Sequence, residues 1–537
     1  MIRLMVLLAA VGGCAAQIQE ISGERIRAHV KFLASDELEG RGVGTRGDRL
    51  TTEYLAAQFA LIGAKPAGEN GTYFQRVPLV GVETGRGVEL TASAEGRSAS
   101  FRWLDEFVGA SQRQKALDEI DAEAIFVGHG ITAPEFRWDD FKGIDVRGKV
   151  VVLFTNEPPS PDPAFFGGRA LTYYGRWTYK SEQALRKGAA GAIIIHTTPT
   201  AGYGWQVVRN SWSREEPCVR LLDGEPALGF AGWVTKEAGE RLLAMAGKSV
   251  DQLLKLAESP AFRPVSLGIR VRGRFPARIR ELDTRNVAAM IPGGDPVLKS
   301  ETVIFSAHWD HLGVGAPESG DSIYNGAVDN ATGCAMLLEI ARAWADLERK
   351  PKRSALFLAV TAEEGGLRGS QYYASHPLVA PGRTAAAFNF DAFYPWGRTS
   401  DVVVRGAERT TLWPVVRDTA QRMNLQIAPD PRPEQGSYYR SDHFPFAKAG
   451  IPAFSINMGN HFLGRPDGYG EALFQEFNAK HYHQPSDEIS EDWDYSGMVH
   501  MARFGFLLGT NTGNLEKLPT WQPGDEFLAA RETSGVK

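Results

Sequence analysis

The chain has 537 residues, 43% of them hydrophobic and 23% charged, a balance that supports a large packed core and excludes a disordered or collagen-like polymer. At roughly 150 residues per domain, this length suggests two to four domains. Lys and Arg number 59 against 64 Asp and Glu, a net charge of −5 with no long run of one sign, so neither a nucleic-acid surface nor a polybasic membrane surface is expected.

The chain opens MIRLMVLLAAVGGCAAQ, in which Arg3 precedes an apolar run from Leu4 to Val11 and small residues surround Cys14. A basic residue, a short apolar stretch and small residues in that order predict an export signal over residues 1–16. The run falls short of the roughly 20 residues a membrane helix needs, and no later segment is longer and uncharged. VGGC resembles a bacterial lipobox, with Cys14 as the lipidated residue, and cleavage after Ala16 without a lipid is the alternative. Either way the chain is expected to be exported: periplasmic, an outer-membrane lipoprotein, or secreted. The other cysteines are Cys218 and Cys334, so no disulfide framework holds the fold.

Residues 17–115 are taken as the N-terminal part of the main domain. Ile26, Val30 and Leu33 recur at helical spacing with Ser22 as a cap, and Leu50, Tyr54 and Leu61 predict a second helix stopped at Gly63. Between them ASDELEGRGVGTRG reads as a glycine-rich, turn-forming connection. A compact β-rich unit is expected over 116–275, from the short apolar runs AEAIFVGHGI, GKVVVLF and GAIIIH; strands and polar turns are expected to continue to about Arg280. Over 276–515 strands alternate with amphipathic helices, the pattern of a mostly parallel sheet flanked by helices, an α/β fold. The tail over 516–537 reads as irregular.

Charged residues then appear where apolar runs end. In VIFSAHWDHLG, His308 and Asp310 share one face at a strand's end, where an imidazole ligand and a supporting carboxylate would sit. Asp329 lies in a glycine-bracketed loop before a helix. Glu363 and Glu364 end the run ALFLAVTA, and like charges side by side raise one pKa unless a cation lies between them. Asp391 ends TAAAFNF, and KHYHQPSDE offers His481, His483 and Asp487. Together these make a mixed imidazole and carboxylate set suited to Zn²⁺ and to a pair of ions. Phe393, Tyr394, Trp396, Phe446 and Phe462 lie close in sequence to these motifs, either as core or as pocket lining.

SAHWDHLG, GAVDNATG, TAEEGG, NFD and YHQPSDE occur in the order and spacing of the M28 family of zinc aminopeptidases, which the sequence resembles over nearly its whole mature length. SDELEGRGVGTRG resembles the family's N-terminal segment, and 116–275 resembles an inserted, β-rich protease-associated (PA) domain. The resemblance implies a zinc-exopeptidase fold of the phosphorylase/hydrolase-like kind. It implies two Zn²⁺ ions per chain, held by His308 and Asp391 on one side and Glu364 and His483 on the other, with Asp329 bridging and Asp310 supporting His308. Glu363 would be the general base toward a metal-bridging hydroxide. In YYRSDHFPF, Tyr438 would stabilise the oxyanion, with its neighbour Tyr439 as the alternative. Ser441, Asp442 and His443 are not expected to form a nucleophilic triad, because neighbours in a tripeptide rarely face one another.

The implied activity is removal of N-terminal residues from peptides with a free N-terminus. Three alternatives share the scaffold. A glutaminyl cyclotransferase would lack the PA insertion, and a non-catalytic receptor-like protein would have lost ligands. A carboxypeptidase or dipeptidase would add a cationic group for a C-terminal carboxylate, for which Arg398 and Arg405 are candidates.

Overall fold

The computed structural model describes residues 21–222 and 224–535, so the expected export signal, with Cys14 and Ala16, lies outside the described residues. The chain divides into two units: Met1–Pro78, Leu282–Pro431 and Arg440–Lys537 form the first, Leu79–Glu281 and Arg432–Tyr439 the second. Among the described residues no helix is long and apolar enough to cross a membrane.

In the first unit, α1 (Gly23–Leu33) buries Ile26, Val30 and Leu33, and the Ser22 hydroxyl accepts the Arg25 N–H as its cap. Helix α2 (Arg46–Ile62) ends at Gly63 in the left-handed region, the stop expected there. Its buried face is Leu55, Ala56 and Phe59, whereas Leu61 is 81% exposed, which corrects the face expected from sequence.

The long strand β1 (Val265–Ile291) contributes its last residues to the first unit's sheet. The others are β2 (Thr302–His308), β3 (Ser354–Val360), β4 (Thr384–Phe390), β5 (Asp401–Val403), β6 (Gln426–Ala428) and β7 (Ala453–Met458). Their order is β1, β3, β2, β4, β7, β5, β6; β3, β2, β4 and β7 are mutually parallel, and β1 and β5 join antiparallel. Every residue of β2, β3 and β4 is buried. Both faces of the sheet are therefore covered, which is why these strands read as unbroken apolar runs. Helices α3 (Thr332–Ala345) and α8 (Ser496–Gly513) pack on one another and on this sheet. The sequence between them also forms α4 (Arg368–Ser375), α5 (Trp413–Arg422), α6 (His443–Lys448) and α7 (Tyr469–Lys480). The tail, read as irregular, carries a further short helix, Leu528–Thr533, anchored where the buried Arg531 donates to the Pro519 and Pro381 carbonyls.

The second unit opens at Leu79, and its hairpin Glu89–Ala94 and Arg97–Phe101 pairs with residues 270–274 of β1. Its centre is a parallel trio, Val150–Phe154, Gly191–Ile195 and Phe230–Val234. Helices Lys236–Ala244 and Val250–Ala257 occupy a stretch expected to hold strands and turns, the latter opened by a capping box between Ser249 and Gln252.

Candidate metal centre

The parallel strands of the first unit end in charge. His308 is the last residue of β2, Asp391 follows β4 directly, and Glu363 and Glu364 follow β3 by a short turn. Ligands of open α/β sheets gather at this carboxyl edge. Asp329 arrives from the turn Ala327–Ala331 before α3, and His483 from the loop after α7.

These side chains converge. His308 Nε2 lies 3.2 Å from Asp329 Oδ1 and 3.2 Å from Asp391 Oδ1. His483 Nε2 lies 3.1 Å from Glu364 Oε2 and 3.5 Å from Asp329 Oδ2. Asp329 thus turns one oxygen toward each imidazole. Donor atoms of His308, Asp329 and Asp391 all fall within 4.8 Å of one another, and so do those of His311, Asp329 and Glu364. Tyr438 lies on the 432–439 segment of the second unit, with its ring 5.1 Å from that of Tyr439.

The supporting contacts differ in detail from those implied. His308 Nδ1 lies 3.1 Å from the backbone carbonyl of Asp310 and 3.9 Å from its carboxylate. That carboxylate instead accepts the N–H groups of Glu363 at 3.1 Å and Glu364 at 3.3 Å, so Asp310 orients the acidic turn. Asp487 accepts the N–H of Val328 and of Asp329, while His481 turns back to Ser486 in its own loop. Ser441 Oγ donates to Asp391 Oδ2 at 2.5 Å, an orientation unlike that of a triad nucleophile.

His311 stands beside these groups although it is absent from the donor set expected from sequence. Its Nδ1 sits 2.7 Å from Glu364 Oε1, and its buried Nε2 has no hydrogen-bond partner among the described residues. The second His of AHWDH was the available signal. Of the nearby aromatics, Phe393 and Phe446 are core, whereas Tyr394, Trp396 and Phe462 cluster with Phe477. Arg405 is committed to Asp430 and Asn457.

Electrostatics test the donor set. Burial alone would push the imidazoles down and the carboxyls up. Against that burial, Asp391, Glu363 and Asp329 raise His308 well above its ordinary value, and Glu364 and Asp329 raise His483 to about 10. Asp329 and Glu364 are held well below the usual carboxylate range despite burial, Asp329 by hydrogen bonds from His308 and His483, Glu364 by His483 and His311. Burial, reinforced by Asp391, Glu364 and Asp442, pushes Glu363 well up. The cluster thus creates a negative field that draws positive charge onto its own imidazoles. Imidazole and carboxylate donors in that field fit borderline divalent cations.

Comparison with known proteins agrees with this geometry. The family model described as Peptidase family M28 matches residues 286–506. Aminopeptidase YwaD of Bacillus subtilis (strain 168) is 30% identical over 400 residues, covering 72% of this chain and 68% of that protein. Carboxypeptidase Q of Xenopus laevis is 27% identical over 238 residues, covering 43% of this chain and 40% of the other. The chain spans 40 to 68% of the length of the curated relatives it matches. The solved structure of an aminopeptidase from Aneurinibacillus sp. strain AM-1 shares the fold, with a TM-score of 0.55 at 19% identity over 95% of this chain and 98% of that one. With its strand-end acids, its imidazoles and these relatives, the chain belongs to peptidase family M28.

Proposed function

We propose that this chain is a two-zinc aminopeptidase. The observation that carries the reading is Asp329, whose two oxygens face His308 and His483 and so join two donor sets. His308 and Asp391 would hold one ion, Glu364 and His483 the other, with Asp329 between them. When bound, such ions polarise a scissile carbonyl and lower the pKa of a nearby water toward neutrality.

The chain's own groups do the rest. Glu363 stands beside the donor set, its backbone fixed by Asp310. It accepts the proton of the attacking water and returns it to the leaving amine as the C–N bond breaks. Tyr438 is the proposed donor to the oxyanion. The substrate's free α-amine would lie against one ion and the nearby carboxylates, which selects the first residue over an internal bond. We assign residues 116–275, which lie in the second unit, as the inserted PA domain and residues 1–16 as an export signal, with Cys14 lipidated or Ala16 as the cleavage point.

Zinc content and hydrolysis of free and N-blocked aminoacyl amides, for wild type and Glu363→Gln, test the reading. About two ions are expected in both proteins, with turnover of free-amine substrates alone and about 10²- to 10⁴-fold less of it in the variant. The likeness to Carboxypeptidase Q makes C-terminal trimming the second reading, and cleavage of N-blocked peptides with a free C-terminus would establish it instead.

A further inference from the structure

The segment ELEGRG, read from sequence as a turn, contains the most completely buried cation near the centre. Arg41 is 1% exposed, and each of its five N–H donors meets a backbone carbonyl. Nε donates to Trp309 O at 2.7 Å. Nη1 donates to Leu33 O and Asn325 O, both at 2.5 Å, and Nη2 donates to Gly326 O at 2.8 Å and Asp329 O at 3.5 Å. Among the described residues no carboxylate pairs with it directly; Asp487, Asp310 and Asp329 supply its counter-charge through space.

Burying a guanidinium is costly, and plain loop closure does not require one. Four of these five carbonyls flank the candidate ligands, and the fifth, Leu33 O, closes α1. Trp309 lies between His308 and Asp310, and Asn325, Gly326 and Asp329 belong to the stretch that enters and forms the turn Ala327–Ala331. A planar fork with fixed donor directions sets the spacing of two loops in a way a flexible ammonium does not. The rest of the segment is built around the same contact. Gly40 lies at φ 63°, and a Cβ there would stand 2.4 Å from Tyr324 O. Asn325 Nδ2 donates to Ala34 O at 2.9 Å and to Asp36 Oδ1 at 2.8 Å.

We propose that Arg41 is a positioning residue of the metal centre: its guanidinium clamps the strand end bearing His308 to the turn bearing Asp329, so that the centre is completed by the N-terminal segment. This rests on the reading of those residues as metal ligands. The clamp itself is testable without metal.

The full-length protein, stripped by chelator and titrated with Zn²⁺ against a competing chelator, is compared with Arg41→Lys and Arg531→Lys, with hydrogen exchange recorded in each state. Arg531 is the control, a buried guanidinium on the Pro519 and Pro381 carbonyls. Arg41→Lys is expected to lose about tenfold or more in Zn²⁺ affinity, while Arg531→Lys stays within about twofold of wild type. Metal-free Arg41→Lys is also expected to exchange faster over 308–311 and 324–331. Because coupling is reciprocal, Zn²⁺ should slow exchange over 33–41 in the wild type, a measurement that stands even where the variant does not fold. Unchanged affinity and exchange in Arg41→Lys, an equal affinity loss in Arg531→Lys, or wild-type exchange over 33–41 indifferent to bound Zn²⁺ would overturn the proposal. A wild type that binds no Zn²⁺ defeats the proposed chemistry, yet faster metal-free exchange in Arg41→Lys would still uphold the clamp.

Discussion

The carboxylate of Asp487 accepts the backbone N–H of Asp329 at 3.1 Å and that of Val328 at 2.9 Å. It ties the turn of Asp329 to the loop of His483, four positions upstream in YHQPSDE. Asp487→Asn puts an amide N–H₂ against a backbone N–H. We expect it to lower Zn²⁺ affinity about 10- to 100-fold and stability by about 1–3 kcal/mol. Chelator competition and urea unfolding measure the two, and wild-type values in both would show the contact to be idle.

Ser441 belongs to a chain of hydrogen bonds that ends at Asp391, one of the candidate ligands. Ser306 Oγ donates to Asn389 Oδ1 at 2.8 Å, Asn389 Nδ2 to Ser441 Oγ at 2.7 Å, and Ser441 Oγ to Asp391 Oδ2 at 2.5 Å. Ser441→Ala frees one Asp391 oxygen and leaves the Asn389 amide without its acceptor. The expected result is about tenfold weaker binding of the ion assigned to His308 and Asp391, with hydrolysis restored at high Zn²⁺. Hydrolysis that stays absent at saturating Zn²⁺ would instead point to a reacting hydroxyl.

What the sequence made legible is the part where local pattern and tertiary role coincide. A fully buried parallel strand must stay apolar until it ends, so His308, Glu364 and Asp391 announce themselves as the charges that terminate such runs. Arg41 has no such signal, and His311, three residues past the strand's end, has only its place as the second His of AHWDH. Four of the five carbonyls that Arg41 meets are 268 to 288 residues away, and a glycine-rich neighbourhood looks the same whether it turns in solvent or packs against a loop. Leu61 fits the helical period, yet tertiary contacts face Phe59 inward instead. The helices of residues 236–257 stand where strands and turns are expected, although Thr235 in TKEA and Ser249 in SVDQ are capping residues that signal a helix start.

The raised pKa values of His308 and His483 predict how metal binding couples to pH. In metal-free protein the surrounding carboxylates outweigh burial and keep both imidazoles protonated at neutral pH, His483 titrating at about 10. A metal ion binds only the neutral ring, so filling the centre at pH 7.5 should release at least about two protons per chain, one from each ring and more where Glu363, pushed up by burial, also ionises. Calorimetric titration in buffers of different ionisation enthalpy reads that number, and Zn²⁺ affinity should fall steeply as the pH is lowered. Heats independent of the buffer would place those imidazoles outside the coordination sphere.

A separate pH dependence resides in the second unit, at His129. This side chain is buried; its Nδ1 lies 3.1 Å from Thr155 O, and its Nε2 has no hydrogen-bond partner among the described residues. Burial first, and then the charge of Lys180, push its pKa down to about 3 from an unfolded value of 6.5. The folded state therefore binds fewer protons between those values. The stability His129 contributes is fully present above about pH 6.5 and is lost, at about 1.4 kcal/mol per pH unit, as the pH falls toward 3. Asp140 and Glu157, raised to about 7 chiefly by burial, act oppositely: what they contribute is lost as the pH rises through 7. Wild type alone thus shows a composite curve, and the difference from His129→Asn, which keeps an N–H toward Thr155, isolates one group. Urea unfolding at pH 7, 6, 5 and 4 should give the variant a shallower acid slope by about one proton, and parallel slopes would mean that His129 is already protonated in the folded unit.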